Sequence, residues 1–147
     1  MRDPVARMWS NIRMGARRRK GTEAEIEARA RAMMAEAVTP GGETHRARSA
    51  YGEILPKLRR AIPEGRLFAA FYEELFDQRT VDALCDFAGL SRRPAETGRR
   101  VYAGTPMDLD PGLAARARAI LDPHYDAAAR IMGRVPDAWM APQEMTT

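Results

Sequence analysis

The chain has few of the residues that build disulfide frameworks and metal centres, and it lacks long apolar runs. Its 147 residues include one cysteine, Cys85, and two histidines, His45 and His124. A single cysteine excludes an internal disulfide framework and is typical of a reducing compartment. No Cys/His spacing indicates a metal site. No run approaches the roughly 20 apolar residues of a membrane span and no signal-peptide pattern opens the chain, so we expect a cytoplasmic protein without a membrane or metal partner.

A glycine-rich phosphate loop is also missing. The pattern G-x-x-x-x-G-K-[ST], whose backbone cradles phosphates in many nucleotide-binding proteins, occurs nowhere in the sequence.

Hydrophobic residues make up 45% of the chain, enough for the core of one small domain or of part of a larger one. The net charge of +4 suits an anionic ligand but does not require one.

The start of the chain carries the most specific pattern. Asp3 is placed to cap a helix whose first position is Pro4. Four apolar residues at helical spacing predict its buried face: Val5, Met8, Trp9 and Ile12. Arg2 and Ser10 lie along another side with the small Ala6 between them, close to the positive end of the helix dipole. A forked guanidinium, a hydroxyl and a helix dipole suit a phosphate cradle, but this segment taken alone favours an ordinary capped amphipathic helix with charged residues on its exposed side.

This stretch resembles the 3′-phosphate-binding motif of sulfotransferases that use 3′-phosphoadenosine 5′-phosphosulfate (PAPS). The N-terminal motif of this chain is Arg2-Asp3-Pro4-Val5-Ala6-Arg7-Met8-Trp9-Ser10. In that family an Arg at the end of a strand and a Ser eight residues later hold the 3′-phosphate, and Arg2 and Ser10 match both. Later segments resemble the same family in the same order: Tyr51-Gly52-Glu53-Ile54-Leu55 with Leu58, Arg66 to Leu75, Phe87-Ala88-Gly89-Leu90, and Tyr125 with Gly133 to Trp139. The resemblance covers most of the chain outside roughly residues 15–48.

The resemblance implies an α/β fold, with a P-loop-type parallel sheet and flanking helices. It implies transfer of a sulfuryl group from PAPS to a hydroxyl or amine, with the nucleotide co-substrate held by Arg2 and Ser10. Arg100 lies in the loop that supplies further basic contacts to the 3′-phosphate in the family, but its match is loose and a solvated loop is the favoured alternative. The chain begins at the motif, so the phosphosulfate loop and the acid–base residue that precede it in the family are expected to be absent. Residues 1–147 then form a single partial sulfotransferase domain, the C-terminal portion, without catalytic residues and inactive alone.

The rest of the chain is predicted to be mostly helical, with one strand. Thr22 and Glu25 form a capping-box pattern before a helix that buries Ile26, Ala30, Met33 and Ala37. A helix at 46–62, kinked or divided by Pro56, and a strand at 67–72 are expected next. They are followed by a helix that ends at Gly89, with an apolar face formed by Val81, Leu84, Cys85 and Ala88, and by a loop at 91–107.

A long helix capped by Asp110-Pro111 is expected to bend at Pro123 and to be followed by a loose tail at 140–147. The residues that this helix is expected to bury are Leu113, Ala117, Ile120, Leu121, Tyr125, Ala128 and Ile131.

The predicted strand exposes a difficulty. Leu67-Phe68-Ala69-Ala70-Phe71 is continuously apolar, as in strands of parallel sheets that are covered on both faces. A strand without neighbours leaves backbone groups unpaired. We therefore expect a chain of low stability, which self-associates or accepts a complementing chain through the exposed sheet edge.

Two other classes of function stay open. A small basic helical protein that binds nucleic acid would account for Arg17-Arg18-Arg19-Lys20, although this cluster is short and has no interleaved aromatic residues. A structural partner would complete another polypeptide that carries the phosphosulfate loop. Adjacent Glu73 and Glu74 are expected to point opposite ways, which argues against joint acid–base work.

Overall fold

The computed structural model describes residues 1–96, Gly98 and residues 105–140. The α-helices are α1 (Pro4–Arg17), α2 (Glu23–Ala37), α3 (Glu43–Arg46), α4 (Tyr51–Ala61), α5 (Gln78–Ala88) and α6 (Pro111–Met132). Short 3-10 turns span Ala47–Ser49, Tyr72–Glu74 and Asp137–Trp139. The described part of the chain is mostly helical and contains no β-strand. None of its helices is long and apolar enough to cross a membrane.

Helix α1 is the centre of the core and begins as predicted. The Asp3 carboxylate accepts a hydrogen bond from the Ala6 N–H at 2.8 Å, and Pro4 occupies the first turn. The four predicted inward residues are all buried: Val5, Met8, Trp9 and Ile12. Burial of each such side chain stabilises the fold by about 1.5–3 kcal/mol relative to exposure.

Helix α2 packs along α1 and starts with the predicted capping box. The Thr22 N–H donates to the Glu25 carboxylate, and the Glu25 N–H donates to the Thr22 hydroxyl. Its buried residues are Ile26, Ala30, Met34 and Ala37. Met34 is fully buried, whereas the predicted Met33 is only half-buried. The predicted face is therefore confirmed at three of its four positions and shifted by one residue at the fourth.

The predicted helix at 46–62 is divided, but before Pro56 rather than at it. Helix α4 runs through Pro56, and the break lies around Ser49 and Ala50. The Ser49 hydroxyl is fully buried and donates to the Pro4 carbonyl at 2.8 Å. This contact holds Ser49 against the start of α1, so a tertiary bond coincides with the break.

Helix α6 packs against α4 and α1 and continues through Pro123 as one element. Asp110 caps it by accepting from the Leu113 N–H at 2.8 Å. Its buried residues are Ala114, Ala117, Leu121, Tyr125, Ala127 and Ala128. The prediction that Ile120 points inward is wrong, since 39% of that residue is exposed, and Leu113 and Ile131 are half-buried.

The predicted strand Leu67–Tyr72 is not formed. Residues 67–71 have no regular structure and lead into the turn Tyr72–Glu74. The Met1 ammonium donates to the Ala70 carbonyl, and the Tyr72 N–H donates to the Met1 carbonyl. These two bonds have the arrangement of a parallel pair between Met1 and Phe71. One such pair does not make a sheet, so the expected strand is corrected to a segment with a single strand-like contact.

Helix α5 ends at Gly89 as predicted, but its predicted apolar face is not buried. Gly89 adopts the left-handed conformation (φ 67°) that closes the helix. No residue of α5 is buried, although four of its residues form the predicted apolar face. Phe87 contacts Phe68 with ring centroids 5.5 Å apart and is still 44% exposed. The apolar face is thus present and lacks a covering layer among the described residues.

Candidate functional site

The backbone of the N-terminal motif is fixed by hydrogen bonds from distant parts of the chain. The Tyr51 hydroxyl donates to the Arg2 carbonyl at 2.8 Å and accepts from the Arg2 N–H at 3.1 Å. The Asp3 N–H donates to the Glu73 carboxylate at 3.1 Å. These contacts link the motif to the start of α4 and to the Tyr72–Glu74 turn. Tyr51 is buried, as expected for a core residue, and its hydroxyl positions the backbone of Arg2.

Asp3 is buried and takes part in the structure of the helix start. Its Oδ2 accepts from the Tyr125 hydroxyl at 2.6 Å, while its Oδ1 caps α1. The same Tyr125 oxygen accepts from the Val5 N–H at 3.4 Å. Burial and the neighbouring Asp3 carboxylate raise the pKa of Tyr125 far above its ordinary value. The phenol therefore stays protonated and remains a donor to Asp3.

An open cavity of about 360 Å³ lies beside the first turns of α1. Its polar lining consists of Arg2, Arg7, Ser10, Asn11 and Arg48, and its other lining residues are Met1, Met14, Ala70, Tyr72 and Leu75. We call it the basic pocket. No described lining residue is acidic. Its volume falls at the small end of ligand sites, which span about 300–1,000 Å³. The combination of cations with apolar side chains suits an anion attached to an apolar or aromatic body.

Arg2 and Ser10 bring available donors to the basic pocket. The Arg2 guanidinium lies over the Tyr72 ring, 5.0 Å from its centroid. Within the described residues, neither the Arg2 guanidinium nor the Ser10 hydroxyl forms a hydrogen bond or an ion pair with another side chain. Cation–π contact orients a guanidinium while leaving its in-plane N–H groups for a ligand. The structure thus brings these two predicted residues to one cavity.

Three further polar residues of the pocket were not predicted as site residues. The Arg7 Nε donates to the Arg48 carbonyl at 2.7 Å, and an Arg48 terminal nitrogen donates to Asn11 Oδ1 at 2.5 Å. Each guanidinium has five N–H donors, so both arginines retain donors beyond these bonds. Arg7 and Asn11 lie four residues apart on α1, so helical spacing alone could have predicted that their side chains share one face of the helix. Arg48 had no such local signal, because it reaches the pocket from a different segment.

The other candidate site residues singled out from the sequence do not line the basic pocket where the structure describes them. Arg100 lies outside the described residues. Glu73 and Glu74 have separate partners, since Glu74 forms a bidentate pair with Arg134 at 2.6 and 2.7 Å. In the cluster at the end of α1, Arg17 is paired with Glu23 at 2.9 and 3.0 Å. No group of three or more His, Cys, Asp or Glu side chains suited to a metal occurs in the described part of the chain.

No protein-family model, curated protein or solved structure matches this chain. What the basic pocket binds is therefore inferred from its residues and from the motif that opens the chain. The deciding geometry is the placement of Arg2 and Ser10 on one cavity with Arg7 and Arg48. Three guanidiniums around one opening, with no carboxylate among the described lining residues, favour an anion of more than one negative charge.

Proposed function

We propose that this chain is part of a PAPS-dependent sulfotransferase and anchors the 3′-phosphate of the nucleotide through Arg2 and Ser10. One observation carries the proposal: the two residues that match the family motif line the same basic pocket. The backbone bonds from Tyr51 hold Arg2 in place before a ligand arrives. A preorganised donor loses less freedom on binding, which strengthens the contact.

The role of the anchor is to orient the reacting end of the nucleotide. The proposed reaction transfers a sulfuryl group to a hydroxyl or amine, whose proton goes to a base, and leaves adenosine 3′,5′-bisphosphate. Holding a remote phosphate restricts the position of the phosphosulfate relative to the acceptor. No residue of this chain is assigned to proton transfer or to the leaving group, so we propose that the chain alone lacks activity.

A second role, as a structural partner of another polypeptide, is favoured by the state of residues 67–71 and α5. The single parallel pair at Met1 leaves the N–H groups of Leu67 to Ala70 without backbone partners in the described structure. Leu84, Phe87 and Leu90 are exposed on and after the neighbouring α5. A polypeptide that adds strands beside this segment would pair those groups and cover the side chains. Such a partner would be detected by cooperative folding that occurs only on mixing.

Thermal unfolding followed by circular dichroism tests the anchoring proposal. Excess adenosine 3′,5′-bisphosphate is expected to raise the melting temperature of the wild-type chain, since ligand at 100 times its Kd adds about 2.7 kcal/mol. Arg2→Ala and Ser10→Ala should each reduce the shift. Arg60→Ala, which removes an exposed guanidinium on α4, is the matched control and should keep it. A cooperative wild-type transition that does not move with ligand would refute the proposal.

A further inference from the structure

Among the described arginines that line the basic pocket, Arg48 is the one that the N-terminal motif does not supply. It belongs to the turn Ala47–Ser49, within the part of the chain that the family resemblance leaves out. The turn is held beside α1 by the buried bond from Ser49 to the Pro4 carbonyl. The Arg48 backbone is therefore anchored one residue before the buried Ser49, while its side chain is exposed at the cavity.

Two residues of α1 orient Arg48. Asn11 accepts from one of its terminal nitrogens at 2.5 Å, and the Arg48 carbonyl accepts from Arg7 Nε at 2.7 Å. An amide oxygen directs a guanidinium without neutralising it, unlike a carboxylate. Arg48 has no salt bridge in the described structure, so its charge is compensated by no neighbouring carboxylate. A fixed guanidinium with free donors and an unbalanced charge is suited to a phosphate.

We propose that Arg48, oriented by Asn11, is a second anchor of the basic pocket and makes it selective for a terminal phosphate dianion over a phosphodiester. The proposal rests on the proposed function of the same pocket and adds a residue and a ligand class to it. A phosphate monoester carries nearly two negative charges at pH 7 and three acceptor oxygens. Arg2 and Ser10 can occupy one side of such a group, which leaves acceptors for a further forked cation. A diester has one charge and fewer free oxygens, so it gains less from Arg48.

Isothermal titration of the full chain at pH 7.5 compares adenosine 3′-monophosphate with adenosine 2′,3′-cyclic monophosphate. The two probes share adenine and ribose; the cyclic diester has one negative charge and two free phosphate oxygens, and its 2′-oxygen is esterified, so the effect of Arg48→Gln is compared for each probe separately. Wild type should bind the monoester at least about tenfold more tightly. Arg48→Gln should weaken monoester binding about 10- to 100-fold, as expected for loss of a charge-assisted hydrogen bond, and change diester binding much less. Arg60→Gln removes a guanidinium from α4 and should leave both affinities unchanged.

Asn11→Asp separates loss of binding from loss of folding. A carboxylate at this position would pair with Arg48 through the contact that the amide already makes. The ligand-free chain should then melt at the same or a higher temperature, while monoester affinity falls as far as in Arg48→Gln. A general folding defect would lower both quantities together. Arg48→Lys keeps the charge but loses the fork, and it should recover only part of the affinity.

The outcomes distinguish this inference from the proposed anchoring role. If Arg2→Ala and Ser10→Ala lose binding while Arg48→Gln and Asn11→Asp bind like wild type, Arg48 is not an anchor and the proposed function stands. If only the Arg48 and Asn11 variants lose binding, Arg48 is the anchor and the assignment of Arg2 and Ser10 is wrong. Equal wild-type affinity for monoester and diester overturns the selectivity. No binding of either probe to the folded wild-type chain overturns both proposals.

Discussion

Buried hydroxyl and carboxylate groups hold the start of the chain in a defined position. Asp3 has little exposure, and its two oxygens receive the Tyr125 hydroxyl and the Ala6 N–H. A carboxylate removed from water depends on such donors, because an unsatisfied buried charge is costly. Because Arg2 directly precedes Asp3, these contacts also restrict the position of the Arg2 backbone. The site and the core are thus coupled through neighbouring residues of the N-terminal motif.

Removal of the Tyr125 hydroxyl should therefore destabilise the whole fold. Tyr125→Phe keeps the ring but removes the Tyr125 hydroxyl bond to Asp3 Oδ2 and the bond that the Val5 N–H donates to the same hydroxyl. We expect a loss of about 1.5–3 kcal/mol in the free energy of unfolding, the range for a hydrogen bond to a charged group. Urea unfolding measures it. Tyr72→Phe removes an exposed hydroxyl and is the control. Equal stability of Tyr125→Phe and wild type would contradict the role given to this pair.

The candidate site was predictable in part at the level of single residues. Arg2 and Ser10 were found because both belong to one short N-terminal stretch that resembles the family motif; Ser10 lies in α1, and Arg2 lies one residue before its N-cap, Asp3. Arg48 was missed because its place depends on how the Ala47–Ser49 turn docks on α1. That docking is a tertiary contact, and no local pattern around residue 48 encodes it.

At the scale of elements, α4 begins with an unusual cap. Its N-cap residue, Ala50, offers no side-chain acceptor, and the Gly52 N–H instead donates to His124 Nδ1 on α6 at 3.3 Å. Nδ1 accepts only while it is unprotonated. Burial lowers the pKa of His124, Glu53 opposes this effect and Arg46 adds to it. The neutral imidazole is thus the form that joins α4 to α6.

Acidification should weaken this junction. The pKa of His124 in the folded chain lies below its ordinary value of 6.5, so the contribution of the neutral form is full above pH 6.5. It is lost as the pH falls through the lowered pKa, because protonation removes the acceptor and places a positive charge at the helix N-terminus. The decrease in melting temperature from pH 7.5 to pH about 5 should be larger for wild type than for His124→Asn, in which the side-chain amide oxygen is an acceptor at a similar position. An identical decrease in both would refute the assignment.

Helix α5 should be the least protected of the long helices. It has no buried residue, whereas α1 buries six. Local opening costs little free energy where few apolar contacts are broken. Hydrogen exchange followed by mass spectrometry should therefore show faster exchange across Gln78–Ala88 than across Pro4–Arg17. Comparable protection would mean that another surface covers α5 in solution, and dilution would show whether that surface is a second copy of the chain.

Across the whole molecule, patterns within one helical turn predicted structure better than patterns that depend on neighbours. The caps at Asp3, Thr22, Gly89 and Asp110 were predicted correctly because a cap involves residues three or four positions apart. The strand at 67–72 was predicted from an apolar run, yet a strand exists only with a partner. Met1 offers one parallel pair, which leaves the segment without a sheet. The apolar composition of residues 67–72 was therefore not sufficient to predict whether this segment forms a strand.

The uncovered apolar surface should make the chain self-associate. Phe76, Phe87 and Leu90 are 55%, 44% and 65% exposed, and they lie beside or beyond a segment with unpaired backbone groups. Apolar patches and open strand edges both drive association. The weight-average mass in sedimentation equilibrium should therefore increase with protein concentration. Phe87→Lys should reduce this dependence by placing a charge on the face, while Met140→Lys, at another exposed apolar residue, should not. A wild-type chain that stays monomeric over the same range would show that the exposed face is tolerated without a partner.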